Sequence, residues 1–270
     1  MRKIVLLILC CFICSIKGFC ESQIEPALFS VSKDTKVIFS KGNVQYHPKK
    51  NIWRFAPNQY NVIGKANANV SASYNGWIDL FGWGTGDNPC LATDNYKDYS
   101  DFVDWGTNFA EEDANWRTLT QKEWRYLLLE RENASKLLGF GSIAGTLGLF
   151  ILPDNGTISS DIDFVSFADQ HVAITGTHYL LNDETIINEY TAKEWNTLES
   201  IGVVFLPLTG KRDIITIEET GNHGYYWTPD NDIKTLVRSY GLLISNIYIK
   251  TRQPISKQVG CAVRLVRNIK

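Results

Sequence analysis

Apolar and polar positions along this chain repeat at two different periods, and the changes of period mark its elements. FSVS (29–32) and TKVIFS (35–40) flank the pair KD, and VQYH (44–47) and IWRF (52–55) flank PKKN. Each set reads as a β-hairpin, because runs of alternating or β-branched residues are joined by turn formers. LGLFIL (147–152), VVFLP (203–207), GYYWT (224–228), LVRSYGLLIS (236–245) and GCAVRLVR (260–267) supply further strands. Long loops rich in Gly, Asn, Asp and Trp lie between them, above all Gly64 to Asn115.

The helical period occurs twice. In NWRTLTQKEWRYLLLER (115–131), Thr120 stands as N-cap and Glu123 at the third helical position, the two halves of a capping box. Leu119 and Trp124 have the spacing of a hydrophobic staple, and Trp124, Leu127 and Leu128 share one face. YTAKEWNTLESIG (190–202) repeats the device with Thr191, Glu194, the staple pair Tyr190 and Trp195, and Leu198, and ends on Gly202 as the stop. Glu123 and Glu194 are therefore read as capping residues. GFGSIAG (139–145) has the glycine spacing of a dinucleotide loop. It follows a helical pattern and precedes a strand, the reverse of the order such a loop needs, so it reads as a turn.

The first twenty residues stand apart. MRK is followed by an apolar run from Ile4 to Ile16, broken by Ser15 alone, too short to span a bilayer and matching a secretory signal peptide. Residues 1–20 are read as that signal and 21–270 as one domain. No integral membrane span is then expected, and the remaining chain is exported to the periplasm, cell surface or medium. Its 24 basic against 29 acidic side chains give a net charge of −5, a poor match for nucleic acid or an anionic membrane. With 44 % hydrophobic and 12 % aromatic residues over its 270, the chain has enough apolar mass for a substantial core.

Chemistry-bearing residues are sparse. Four of the six cysteines leave with the signal, and Cys90 and Cys261 form an even pair in an exported chain, where a disulfide or two buried thiols are both open. His47, His171, His178 and His223 lack zinc-site spacing, and no Gly-x-Ser-x-Gly elbow occurs. No cofactor is expected. For calcium, the oxygen-bearing sets are Asp154, Asn155, Asp161 and Asp163, and WTPDND (227–232).

WRTLTQKEWRYLLLER resembles the Arg-Leu-Pro-Thr-x-x-Glu-Trp-Glu-Tyr-Ala-Ala-Arg block of the formylglycine-generating enzyme (sulfatase-modifying factor) family, and GCAVRLVR is similar to that family's final Gly-Phe-Arg strand. Segments such as IFSKGNVQYHPKKNIWRFAPNQY, GWIDLFGWGTG, DWGTN, TAKEW and GYYW resemble exported Bacteroidetes and Fibrobacter paralogues of the superfamily. The resemblance covers most of 29–267. It implies an α+β, C-type-lectin-like fold with two main helices, small twisted antiparallel sheets and long irregular loops. Catalytic members use two cysteines close together near the C-terminal core to bind copper and activate oxygen. Here that region holds Cys261 alone, so the resemblance points to a non-catalytic paralogue.

The remaining expectation is recognition of a glycan or protein ligand. In NHGYYWTPDND (222–232), Tyr225 and Trp227 share one face of a strand and Tyr226 takes the other. These rings, the polar loop with Asp230, Asn231 and Asp232, and Tyr248 in SNIYIKTRQP are read as the ligand-binding set. The rival readings are an oxidase acting on protein cysteine and a structural subunit of a surface assembly, which requires a large exposed apolar patch.

Overall fold

The computed structural model describes residues 26–109, 115–156, 158, 162–182, 185 and 187–269, and the expected signal segment lies outside them. Within that range the chain is mixed α+β, mostly sheet, with two α-helices.

The two expected N-terminal hairpins form where the turn residues place them. β1 (Phe29–Ser30) pairs with β2 (Lys36–Phe39), and β3 (Val44–His47) with β4 (Ile52–Phe55). The second turn closes on Asn51 in the left-handed region, φ 49°, which asparagine tolerates. β5 (Arg117–Thr118) and β17 (Leu265–Asn268) extend the first sheet in the order β1-β2-β17-β5, so the two ends of the described chain are hydrogen-bonded neighbours. A second sheet runs β10-β6-β7-β11, from β6 (Leu138–Ile143), β7 (Thr146–Ile151), β10 (Asn188–Tyr190) and β11 (Val204–Pro207). The largest sheet has the order β14-β15-β16-β9-β8: β8 (Ala173–Thr175), β9 (His178–Leu180), β14 (His223–Asn231), β15 (Arg238–Ser245) and β16 (Tyr248–Ser256). β12 (Lys211–Asp213) and β13 (Thr216–Glu218) form a separate ribbon.

Both capping boxes are present. Thr120 Oγ1 accepts from the Glu123 amide at 3.2 Å while Glu123 Oε2 accepts from the Thr120 amide at 2.8 Å; Thr191 and Glu194 do the same at 3.3 and 2.8 Å. α2 (Ala192–Ser200) runs on to Gly202 at φ +85°. α1 (Gln121–Arg125) is shorter than its pattern suggests and widens into a π-turn over Tyr126–Glu130, closed by the Arg131 amide on the Tyr126 carbonyl at 2.8 Å. Trp124, Leu127 and Leu128 are nonetheless all buried, so the change of pitch leaves the apolar face intact.

The reading of residues 139–145 as a turn is corrected: Leu138–Ile143 is strand β6, and only Ala144–Gly145 turns. The glycines serve close packing. A Cβ at Gly141 would lie 1.9 Å from the Asn188 carbonyl oxygen of β10, which pairs in parallel with β6.

Three apolar clusters fill the interior. The first lies among the sheets and the Trp124 helix, the second is an aromatic cluster beneath the long loops around Trp83, Trp105 and Trp227, and the third surrounds α2. Arg264, fully buried, joins distant segments: its guanidinium donates to Asn43 Oδ1 (3.0 Å), the Ser40 carbonyl (3.1 Å), Gln59 Oε1 (3.2 Å) and the Phe205 carbonyl (2.6 Å). Burial lowers its pKa to about 10, and these acceptors solvate the charge in place of water.

Candidate functional site

Strand β14 runs between two of the apolar clusters, so its alternating side chains meet different fates. Tyr226 enters the first cluster, 0 % exposed, and donates to the Pro207 carbonyl at 2.7 Å. Trp227 enters the aromatic cluster, 1 % exposed, and donates from Nε1 to the Phe81 carbonyl at 2.7 Å. Neither ring can stack on a ligand, which corrects their place in the expected binding set. Trp227 lies on the face read from the sequence, but the long loop carrying Phe81 and Trp83 covers that end of the strand.

The polar loop is also occupied internally. Asp230 Oδ2 accepts from the Gln121 amide at 2.6 Å, at the first residue of α1, where a carboxylate meets unsatisfied donors. Asp232 is 5 % exposed and accepts from the Lys234 amide at 3.0 Å. Asn231 is exposed but lies at the far end of the strand from the open rings. In the other oxygen set expected for calcium, the Asp154 carboxylate accepts from Ser30 and Arg131, and the backbone carbonyl of Asp163 accepts from the Tyr190 hydroxyl. Asp161 lies outside the described residues.

At the near end of β14 the strand is open, and there the structure brings together two residues read from the sequence. The rings of Tyr225, His223 and Tyr248 follow one another with centroids 6.0 and 6.3 Å apart and interplanar angles of 31° and 45°. All three are partly exposed. Register explains the row: His223 stands opposite Ser245, and the Ser245–Tyr248 turn returns the chain so that Tyr248 opens β16 beside it. Lysines flank both ends, with Lys211 Nζ 5.6 Å over the Tyr225 ring and Lys250 Nζ 4.0 Å over Tyr248.

Glu219 holds one end together. Its carboxylate accepts from the Tyr225 hydroxyl at 2.6 Å and from Lys211 Nζ at 3.1 Å, and its Oε2 lies 3.3 Å from His223 Nδ1. It occupies φ +60°, a left-handed conformation that costs a non-glycine residue on the order of 1 kcal/mol. The tight turn from Glu219 to His223 fixes it there, with the Asn222 and His223 amides both donating to the Glu219 carbonyl. Burial pushes the Glu219 carboxyl up, but the Tyr225 hydroxyl and Lys211 outweigh it and hold the group below the usual glutamate range. Burial and then the same carboxylate push the Tyr225 phenol well up, so it stays a donor. Lys211 is held above the usual lysine range, because Glu219 and Glu218 outweigh its burial. The assembly is a short row of partly exposed rings, with Glu219 and Lys211 fixed at one end and the two lysine ammoniums lying over the outer rings.

His223, Lys211, Glu219 and Lys250 were absent from the expected set. The period-two pattern already placed His223 with Tyr225 and Lys250 with Tyr248; Lys211 arrives from a separate ribbon, which local pattern cannot show, and Glu219 from the left-handed turn four residues before His223.

Cys90 and Cys261 are free thiols. Cys261 is fully buried on a segment that exchanges hydrogen bonds with Phe81, while Cys90 packs on the rim of the same cluster. Burial pushes both thiols up, Cys261 strongly, despite the cationic Arg212 nearby. Among the described residues no group of three or more His, Cys, Asp and Glu side chains is arranged to hold a metal ion, and no helix is long and apolar enough to cross a membrane.

No family model, no curated protein and no solved structure matches the chain.

Proposed function

We propose that the exported chain is a non-enzymatic recognition protein that binds carbohydrate on the strip Tyr225–His223–Tyr248, carried by a C-type-lectin-like framework. The observation that carries this reading is the row of three accessible rings bordered by Lys211, Glu219 and Lys250. A pyranose has a C–H face that packs on the electron-rich face of a ring and an equatorial rim of hydroxyls that needs both donors and acceptors. The strip supplies both. Support for the framework comes from the two capped helices, the small sheets and the pairing of β2 with β17.

A protein-cysteine oxidase has less support, because the Cys261 thiol is buried and held protonated, whereas a soft metal ion takes the thiolate. The test is a panel of immobilised glycans probed with the chain and with Tyr248→Ala. The reading expects a defined subset to bind and the variant to lose roughly tenfold in affinity for it. A panel with no binder, or undiminished binding by the variant, contradicts it.

A further inference from the structure

The connection between β14 and β15 turns its apolar side chains outward. Ile233 is 96 % exposed, Leu236 75 % and Val237 37 %, in a segment of six residues. Isolated exposed aliphatics are ordinary, but three at the tip of one hairpin form a patch that no described residue covers.

The charges of the hairpin are sorted around that patch. Its acids point inward: Asp230 is bound to the start of α1, and Asp232 is buried against the Lys234 amide. Its bases point outward, Lys234 being exposed and the Arg238 side chain 48 % exposed, with its guanidinium 4.0 Å from Asp232. The strands below the tip are tied together, since Ser239 Oγ donates to the Asp230 carbonyl and Thr228 Oγ1 to the Tyr240 carbonyl at 2.8 Å. It therefore offers apolar and positive groups while withdrawing its carboxylates.

That combination fits one partner chemistry. We propose that the β14–β15 tip docks on a phospholipid surface, with Ile233 and Leu236 entering the boundary between headgroups and acyl chains and Lys234 and Arg238 meeting lipid phosphates. A protein groove would accept the aliphatics equally well, but the withdrawn acids and outward bases favour phosphate. The net negative charge of the chain gives no long-range attraction, so the bases act only at contact, within about a Debye length of 8–10 Å. Docking at this end leaves the ring strip clear, because His223 and Asn231 lie at opposite ends of a nine-residue strand, roughly 25–30 Å apart.

Sedimentation of the chain with vesicles tests the assignment, using phosphatidylcholine alone and an equal mixture with phosphatidylglycerol. The chain should partition to both and prefer the mixture. Ile233→Ser with Leu236→Ser should reduce partition by about tenfold or more. Lys234→Gln and Arg238→Gln should each cost about fivefold on the mixed vesicles, with the salt dependence falling in step. These side chains are exposed, and an unchanged near-ultraviolet circular dichroism spectrum shows that the fold persists. Failure to bind either vesicle overturns the proposal, as does binding indifferent to the serine pair. Self-association lost in the serine pair, without vesicle binding, overturns it in favour of a second copy of the chain.

Discussion

Single residues decide much of this molecule through burial. Asp79 is fully buried, bound by Asn67 Nδ2 at 2.7 Å and the Ile63 amide at 3.2 Å, and burial raises its carboxyl from 3.8 to about 6. The folded state thus holds the proton more tightly than the unfolded state. The stability from this group is complete below about pH 4 and is lost as pH rises through about 6, a loss of about 3 kcal/mol. Glu123, Asp154 and Glu219, whose carboxyls are held low, act in the opposite sense, so the difference between variants isolates Asp79. Urea titrations of Asp79→Asn should show lower absolute stability, because one amide hydrogen then meets a donor, but a flatter fall between pH 4 and 7. An unchanged slope contradicts the assignment. Trp227 makes the same point about burial: Trp227→Ala should cost about 3–5 kcal/mol through the cavity it opens, measured by denaturant midpoint. Tyr248→Ala, at the surface, should cost less than about 1 kcal/mol.

At the scale of elements, what the sequence revealed follows the range of the interactions involved. The capping boxes of Thr120 with Glu123 and Thr191 with Glu194 are local and were readable in full. So were the β3–β4 hairpin and the alternation of Tyr225, Tyr226 and Trp227. Three-residue strands such as β8, β9 and β12 were not, because their pairing partners, not their composition, make them strands. β6 was mistaken for a turn because Gly141 answers to the Asn188 backbone 47 residues away in sequence, and Gly139 to the Phe164 ring. The binding set failed in the same way: alternation placed Trp227 on the correct face, but only the loop bearing Phe81 and Trp83 determines which end of that face reaches solvent. The two capped helices also differ. Glu123 accepts a two-pronged contact from Arg117, at 2.8 and 2.6 Å, in addition to its capping role, whereas Glu194 is exposed. Glu123→Ala should therefore destabilise by more than the ~1 kcal/mol expected for losing a cap alone, and Glu194→Ala by no more than that. Equal losses in urea denaturation would show that the Arg117 contact contributes nothing.

For the whole molecule, β14 links two surfaces of different character. Its first residues carry rings and a clamped carboxylate; beyond its last lies an apolar tip with outward bases. On the two proposals together, the strand meets a phospholipid surface at one end and offers a recognition strip at the other. The four histidines give the most direct probe of this account, because only His223 lies in the strip. The decisive measurement is to record the histidine ring resonances by NMR while a glycan that binds the chain is titrated in. The account predicts that the His223 signals move with ligand while those of His47 and His171 stay fixed, His178 being the cross-strand neighbour of Lys250 and so no control; a ligand that leaves His223 unmoved binds elsewhere and contradicts it.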